Sequence, residues 1–159
     1  MPTAEITITS MRTPDEAIAF GQLNEAWISE LFSMEDADRA TLDDPFGAIV
    51  DKGGDVLIAR AGDRVVGCVS LVPVGDGVYE LSKMAVDPSE RGRGIGRRLM
   101  EAAIARGREL GGSSLFLGSN RRLVAAVSLY ESVGFVHVAP DAIGPLPYTR
   151  ADVWMSLAL

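Results

Sequence analysis

The chain has 159 residues, of which 47% are hydrophobic and 23% charged, and these values fit one globular domain with a hydrophobic core over residues 1–159. No apolar run approaches the roughly 20 residues that span a bilayer, the first residues carry no secretion signal, and a single cysteine and a single histidine argue against a zinc site, so we expect a cytoplasmic protein without a metal. The net charge of −7 disfavours general binding to nucleic acid.

The first half of the chain predicts strands and helices in turn. Alternating polar and apolar residues after Ala4 are typical of a strand. Thr13, Pro14 and Glu16 form the pattern of a helix start, with a cap, a first-turn proline and a glutamate three residues after the cap. Turn residues at 61–64 join two β-rich runs into a hairpin. In chain order, we predict a strand (5–9), a helix (14–32), one or two short helices (34–51), two strands (55–60 and 65–72), a turn (73–77) and a third strand of this series (78–86).

The second half predicts helices that alternate with strands. Glycines at 111 and 112 end one helical run, and apolar residues recur at a helical period before Gly134. In chain order, we predict a helix (97–110), a strand (114–118), a helix (121–133), a strand (135–139), a proline-rich loop (140–147) and a last strand (153–159). Hairpins followed by strand–helix–strand crossovers indicate an α/β (α+β) fold, a mixed sheet of about seven strands with about four helices on its faces.

Three alternate glycines separate the strand at 78–86 from the helix that follows it. Glycine lets the backbone come close to a ligand, and the first N–H groups of a helix are unpaired donors at the positive end of its dipole. We therefore predict that this turn holds a pyrophosphate through its backbone N–H groups. The predicted ligand-binding residues of the turn are Arg91, Gly92, Arg93, Gly94, Ile95, Gly96 and Arg97. A plain helix-entry turn is the alternative, for which three alternate glycines are an unusual choice.

Positive charge is concentrated around the same turn. Residues 91–122 contain eight arginines and two acidic residues, a local charge of +6, which leaves −13 for the rest of the chain. A basic zone on an acidic protein indicates a small polyanionic ligand rather than a long polyanion. We expect at least half of these arginines only to solvate a helix face.

Three segments of the chain resemble the GNAT superfamily of acyl-CoA-dependent N-acyltransferases. Residues 80–88 are similar to the family's central strand, and residues 91–96 match its Arg/Gln-x-x-Gly-x-Gly/Ala turn. Asn120, followed by Ser-Leu-Tyr-Glu-Ser-Val-Gly-Phe at 128–135, is similar to the family's Asn…LYxxxGF block. The resemblance implies a GNAT-like domain that uses acetyl-CoA as a co-substrate, takes an amine of a small molecule or peptide as acceptor, and allows a homodimer.

In this family the central strand separates from its parallel neighbour and pairs its backbone with the pantetheine arm of the co-substrate. By resemblance, Met84 and Val86, with Ala85 between them, would make those bonds. Their side chains can belong to the core at the same time, because the bonds would use the backbone. Asn120 could cap the last helix or bond the pantetheine arm, and the sequence leaves both open.

Acyl transfer to an amine needs a group that removes a proton from the acceptor. A free alkylamine has a pKa near 10.4, so only about one molecule in two thousand is neutral at pH 7. A carboxylate can take that proton directly or through water. Glu80 begins the central strand, where the family often places its base, and is the first candidate, with an exposed strand-end glutamate as the equal alternative. Glu30 and Asp36, on the first helices, are the reserve candidates.

Further groups would complete the reaction. By resemblance, Tyr130 occupies the position of the acid that protonates the leaving thiolate, and the alternative is one more apolar contact on its helix. A backbone N–H near Met84 could stabilise the oxyanion. Lys83 could line the cleft and repel or orient a charged substrate, or it could be solvated. Cys68 lies in a β-rich run and is expected to be a core residue.

Together, the residues and the resemblance predict an N-acetyltransferase that moves an acetyl group to a primary amine by direct attack in a ternary complex. Acidic segments before residue 91 would attract a cationic acceptor. A non-catalytic acyl-CoA-binding sensor on the same fold is the alternative function. A nucleic-acid-binding module is disfavoured, because Phe116 is the only aromatic residue from 91 to 122.

Overall fold

Seven strands form one sheet in the computed structural model, which describes residues 4–142 and 149–159. The strands are β1 (Ile6–Ser10), β2 (Asp55–Ala61), β3 (Arg64–Gly75), β4 (Val78–Val86), β5 (Ser114–Ser119), β6 (Val136–His137) and β7 (Val153–Ala158). The α-helices among the described residues are α1 (Pro14–Leu31), α2 (Asp36–Asp43), α3 (Pro45–Ala48), α4 (Ile95–Glu109) and α5 (Val124–Ser132). Most of the predicted loop at 140–147 lies outside the described residues.

The strand order confirms the predicted mixed sheet. The order is β1-β2-β3-β4-β5-β7-β6, and β4 with β5 is the parallel pair. The other neighbouring strands of the described sheet are antiparallel. The parallel pair arises because α4 carries the chain from the end of β4 back to the start of β5, as a crossover must. Sheet polarity therefore changes at the centre of the molecule, where β4 and β5 meet.

Helices cover both faces of the sheet. On one face, α4 buries Leu99, Met100 and Ala103, and α5 adds Tyr130 to the same core. On the other face, α1 and the residues after it bury a second core that includes Phe20. Apolar positions four residues apart on α4 lie on one side of the helix, which is the pattern that fixes its orientation. The two cores hold β3 and β4 between them.

The predicted helix start is confirmed at α1. The hydroxyl of Thr13 accepts a hydrogen bond from the Glu16 N–H at 3.2 Å, and the Glu16 carboxylate accepts one from the Thr13 N–H at 3.1 Å. The second carboxylate oxygen of Glu16 accepts a bond from the Arg60 guanidinium on β2 at 2.9 Å. The cap therefore also fastens the start of α1 to the sheet.

Several boundaries differ from the predicted ones. β6 has only two residues, Val136–His137, where we predicted a strand over 135–139. β3 continues through Pro73 to Gly75, where we predicted a turn. Residues 34–51 form two helices and a 3₁₀ turn, which makes five helices rather than about four. The residues after Gly94 enter α4 two positions earlier than predicted, because Gly94 itself takes a left-handed φ of 74° and ends the turn. α5 begins three positions later than predicted, because residues 120–123 form a separate turn.

Candidate active site

β4 and β5 separate part-way along their length. Their parallel ladder has three residue pairs, the last of which joins Glu80 and Phe116. After this pair, the described residues of β5 continue to bond to β7 on their other side. The edge of β4 beyond Glu80 therefore faces a gap, and an extended ligand can pair with a strand edge of this kind.

A bulge in β4 lies beside the gap. Cys68 on β3 pairs with Ala85, and Ser70 pairs with Ser82, so one residue of β3 lies opposite two residues of β4. The extra residue is Lys83, which has a left-handed φ of 55°. A bulge bends its strand and redirects the side chains next to it. Here it turns the Lys83 side chain toward α2.

A chain of hydrogen bonds holds the bulge in place. The indole N–H of Trp27 donates to Asn24 Oδ1 at 2.9 Å, and Asn24 Nδ2 donates to Cys68 Sγ at 3.4 Å. The Cys68 thiol donates to the Lys83 carbonyl at 3.6 Å. Burial raises the pKa of Cys68 to about 12, so the thiol keeps the proton that it donates. Cys68 is a buried core residue, as predicted.

The gap opens into a cleft of about 590 Å³. Its walls come from β4, the glycine turn, the end of α1 and the start of α5. The structure brings most of the predicted site residues to this one cleft: Met84, Ala85, Val86, Arg91, Gly92, Gly94, Ile95, Gly96, Arg97, Asn120 and Tyr130. Glu80 and Arg93 are not among the described residues that line it. The Arg93 guanidinium donates instead to Glu90 at 2.5 Å and to the carbonyl of Ala4 at 2.8 Å.

The glycine turn presents helix amides to the cleft. The first backbone bond of α4 runs from the Arg98 N–H to the Gly94 carbonyl at 3.1 Å. The N–H groups of Ile95, Gly96 and Arg97 therefore have no acceptor within the helix. The Arg91 N–H, at the other end of the predicted range, donates to the Pro88 carbonyl at 3.4 Å. The set of available amides is therefore narrower than the predicted range and lies closer to the helix.

The backbone of β4 presents further donors. The Asp87 N–H donates to the Val66 carbonyl of β3 at 2.8 Å. Because successive amides of a strand point to opposite sides, the Val86 N–H points away from β3 and toward the gap. The predicted pairing of Val86 with a pantetheine arm would use this direction.

The candidate bases occupy different environments. Glu80 is 9% exposed, so the alternative of an exposed strand-end glutamate is wrong. It pairs across the sheet with Val72, which packs against the core on the α1 face. Burial lowers the pKa of Lys83, and the negative charge of Glu80 offsets part of this effect. Glu30 is exposed and lines the cleft. Asp36 is exposed at the start of α2 and is not one of the described lining residues.

Tyr130 is the candidate acid. It is 7% exposed, lines the cleft from α5, and its ring centre lies 6.0 Å from that of Phe135. Burial raises the pKa of Tyr130 to about 12, because the phenolate would be poorly solvated there. The phenol therefore holds its proton at neutral pH, as an acid must before it donates. Core residue and cleft residue are both correct descriptions of its position.

A buried charge cluster beside the β4 bulge contributes Lys83 and Arg150 to the lining of the cleft, and this part of the lining is called the far wall. Lys83 Nζ lies 2.6 Å from Asp38 Oδ1, and the Arg150 guanidinium bonds both oxygens of Asp38 at 2.7 and 2.8 Å. Glu35 lies 3.4 Å from the same guanidinium. Burial alone would raise the pKa of Asp38, but hydrogen bonds from Arg150 and Lys83 hold it well below its usual value. Burial also lowers the pKa of Lys83, and Asp38 offsets part of this effect.

Asn120, which follows the end of β5, supports the cluster. Its Nδ2 donates to the carbonyl of Arg150 at 2.7 Å, and its Oδ1 accepts from the Arg122 N–H at 2.8 Å. The cap residue of α5 is Leu123, so the proposal that Asn120 caps this helix is wrong. Asn120 instead closes the turn before the helix and fixes the backbone beside the cleft. Its bond to a pantetheine arm stays a prediction.

Residues 18–135 match the family model described as the acetyltransferase (GNAT) family. The chain belongs to this family. It is an acetyl-CoA-dependent N-acetyltransferase of the GNAT fold. In the described part of this acetyltransferase, no helix is both long enough and apolar enough to cross a membrane.

The acetyltransferase is similar to other proteins over nearly its full length. It is 31% identical to an uncharacterized N-acetyltransferase of Schizosaccharomyces pombe, over 96% of this chain and 98% of the relative. A GNAT-family acetyltransferase of Staphylococcus aureus Mu50 has the same fold, with a TM-score of 0.83, 20% identity and coverage of 98% and 99% of the two chains. The fold of YncA, a putative acetyltransferase from Salmonella typhimurium solved with acetyl-CoA, matches with a TM-score of 0.76, at 22% identity and 97% and 94% coverage.

Sequence reasoning missed the charge cluster of this acetyltransferase. It left Lys83 as either a cleft residue or a solvated lysine, and the solvated alternative is wrong, because Lys83 is 8% exposed. Asp38 and Arg150 were not singled out. Their positions in the chain are far apart, and no local motif joins them. The one usable signal was the position of Lys83 within an otherwise apolar strand.

Proposed function

We propose that this acetyltransferase moves the acetyl group of acetyl-CoA to a primary amine of a small molecule or peptide by direct attack in a ternary complex. The observation that carries the proposal is a single cleft that joins the helix amides of the glycine turn, the open edge of β4 and a polar far wall. A diphosphate, an extended arm and an acceptor can occupy these three regions together. Direct transfer needs both substrates in one cleft at the same time.

The co-substrate would be held mainly by the backbone. The N–H groups of Ile95, Gly96 and Arg97 would bind the pyrophosphate at the positive end of α4. The Met84 and Val86 backbone would pair with the pantetheine arm in the gap between β4 and β5. The structure of YncA from Salmonella typhimurium, which has the same fold and contains acetyl-CoA, supports acetyl-CoA as the co-substrate.

Chemistry would follow at the bulge. Glu80, through a water molecule, would take the proton from the acceptor ammonium, and the neutral amine would attack the thioester carbonyl carbon. A backbone N–H near Met84 would stabilise the oxyanion. When the C–S bond breaks, Tyr130 would give its proton to the departing thiolate, and the second amine proton would leave through solvent to restore the phenol. The products would be an acetamide and coenzyme A, with no acyl-enzyme formed.

Glu80→Gln and Tyr130→Phe test these roles. Each variant is expected to lower kcat about 100-fold, because general acid–base catalysis contributes at least about this factor, while the affinity for acetyl-CoA stays unchanged. The measurement is coenzyme A release, with calorimetry for acetyl-CoA binding. Glu101→Gln is the matched control, because Glu101 is exposed on α4 and is not one of the described residues that line the cleft.

Three other results would change the identity of the base or the proposed function. A loss of kcat in Glu30→Gln but not in Glu80→Gln would make Glu30, which lines the cleft, the base. Acetyl-CoA binding without coenzyme A release, tested with amino acids, polyamines, aminoglycosides and peptides, would favour the acyl-CoA sensor. If calorimetry detects no binding of acetyl-CoA, the proposal is wrong as a whole.

A further inference from the structure

We propose that the acceptor carries a carboxylate group beside its amine, as amino acids do, and that Arg150 and Lys83 bind this carboxylate. The inference rests on the proposed function, since it names the acceptor class of the same cleft. It starts from the far wall, where the two cations lie beside the bulge that would hold the thioester.

The charge cluster is oriented with its cations toward the cleft. Arg150 and Lys83 both line the cleft. Their counter-ions Asp38 and Glu35 are not among the described lining residues, and Asp38 is completely buried behind the two cations. The charged side chains that a ligand can contact at this wall are therefore the two cations. In a wall shielded from water, that charge is much more effective than at an exposed surface.

The Arg150 guanidinium is held in one orientation before any ligand arrives. Asp38 binds it with two hydrogen bonds, and Asn120 fixes the backbone of the same residue. The Trp27 ring centre lies 5.9 Å from the guanidinium carbon. Because the guanidinium is already immobilised, little side-chain entropy remains to be lost when a carboxylate binds beside it.

The structure argues against a cationic acceptor at this wall. The acidic segments before residue 91 had favoured one, but buried acids in those segments bind the protein's own cations. Glu16 pairs with Arg60, and Asp38 pairs with the cations of the wall. The carboxylate of Glu30 lines the cleft from an exposed position.

Matched acceptors test the inference directly. Each L-amino acid of a panel is compared with its amide and with the amine that lacks the carboxyl group, by coenzyme A release. We expect kcat/KM to be about 10- to 100-fold higher for the acid, the range of a hydrogen bond between charged groups. The amides have the less basic amine, of which a larger fraction is neutral at pH 7, so a preference for the acids does not arise from the protonation of the amine. Equal or faster turnover of the amides would overturn the inference.

Arg150→Gln identifies the residue responsible. The ratio of kcat/KM for acid over amide is expected to fall about tenfold or more in this variant. Because the ratio compares two substrates of one preparation, partial unfolding does not change it. Arg121→Gln is the control, since Arg121 is an exposed arginine that pairs with Asp152. An unchanged ratio in Arg150→Gln would overturn the inference, because a purely structural role lowers both rates alike.

A binding measurement separates this inference from the proposed function. Calorimetry follows the amino acids and their amides as they bind to the protein saturated with coenzyme A. Turnover without a preference for acids overturns the inference and leaves the proposed function standing. Selective binding of acids that Arg150→Gln abolishes, without any turnover, supports the inference and overturns direct transfer. If no acid binds to the complex and no acceptor is acetylated, both are wrong.

Discussion

Gly94 and Gly96, in the turn before α4 and the first residues of that helix, are required for different physical reasons. Gly94 has a φ of 74°, a left-handed value, and a Cβ there would meet nothing within 4 Å. Gly96 lies inside the helix, and its Cβ would come within 3.3 Å of Leu129 on α5. Gly94 is therefore required by backbone conformation, and Gly96 by the close approach of a neighbouring helix. Gly94 can therefore be replaced without disturbing a packing contact, whereas Gly96 cannot.

Gly94→Ala is predicted to weaken acetyl-CoA binding. An L side chain at a left-handed position costs about 1 kcal/mol, and relief of that strain would rotate the amides that follow. We expect about a tenfold loss of affinity, the equivalent of one misaligned hydrogen bond to a charged group, by calorimetry. The matched control is Gly111→Ala, because Gly111 has a φ of 84° and open space at the far end of the same helix.

The control variant fixes the interpretation. Both variants are expected to lose about 1 kcal/mol of unfolding free energy, since both place alanine in the left-handed region. Only Gly94→Ala is expected to change the affinity for acetyl-CoA. Equal affinities in the two variants would show that the turn is a plain helix entry.

The eight arginines of residues 91–122 make more contacts within the protein than their sequence positions indicate. We expected at least half of these arginines only to solvate a helix face, and this expectation is wrong. Five of the eight contact other parts of the protein through their side chains: Arg93, Arg97, Arg106, Arg121 and Arg122. Arg106, for example, bonds the nearly buried Asp55 at 2.8 Å. Their partners come from distant elements, so no local pattern could reveal them.

At the scale of elements, β4 combines three features along nine residues. Its first part pairs on both sides, its bulge redirects Lys83, and its last part has a free edge. The bounds 78–86 were predicted from an apolar run between two turns, and they are confirmed. The bulge was not predicted, because it depends on the pairing with β3 and on the Cys68 contact beneath it. The family resemblance had implied the separation from β5, and the strand pairing confirms it.

The free edge of β4 predicts a local change in hydrogen exchange. The Met84 and Val86 amides are expected to exchange rapidly in the protein alone, and about tenfold or more slowly when acetyl-CoA pairs with them. The measurement is amide exchange by NMR with and without acetyl-CoA. The turn at 61–64, at the far end of the β2–β3 hairpin, is the internal control and is expected to show no change. Unchanged exchange at both β4 positions would show that the arm does not use this edge.

Sequence patterns located every strand but could not reproduce the far wall of the cleft. Strands and helices follow local periodicity, so their order could be predicted from the chain alone. The far wall depends on residues 38, 83 and 150, which come from α2, β4 and the segment before β7. Tertiary placement alone brings them together. The prediction of a cationic acceptor counted acidic residues without knowing their partners, and it stays a prediction.

At the scale of the whole molecule, buried ion pairs join the layer of α1 to α3 to the sheet. Asp38 on α2 binds Lys83 of β4 and Arg150. At the other end of the layer, Glu16 of α1 binds Arg60 of β2. Burial would raise the pKa of Glu16, but two backbone N–H groups and the guanidinium outweigh it and lower the pKa. Both carboxylates are therefore held ionised in the folded state.

These lowered pKa values set the direction of acid sensitivity. A carboxyl group whose folded pKa lies below its unfolded value binds more protons when unfolded. The stability that it contributes is complete above the unfolded value, about pH 4, and is lost as the pH falls toward the folded value. We therefore expect the unfolding free energy of this acetyltransferase to fall below about pH 4, with Asp38 and Glu16 among the main causes.

Asp38→Asn is predicted to destabilise the protein most at neutral pH. Removing one partner of a buried charge cluster costs about 3 kcal/mol, because Lys83 and Arg150 stay buried without its charge. Toward about pH 3 the Asp38 carboxyl group of the unfolded wild type is protonated, which stabilises the unfolded state. The difference in unfolding free energy between wild type and variant should therefore shrink. Denaturant unfolding between these limits measures it, with Asp36→Asn, an exposed neighbour on the same helix, as the control. A difference that stays constant with pH would mean that Asp38 acts through its shape and hydrogen bonds rather than its charge.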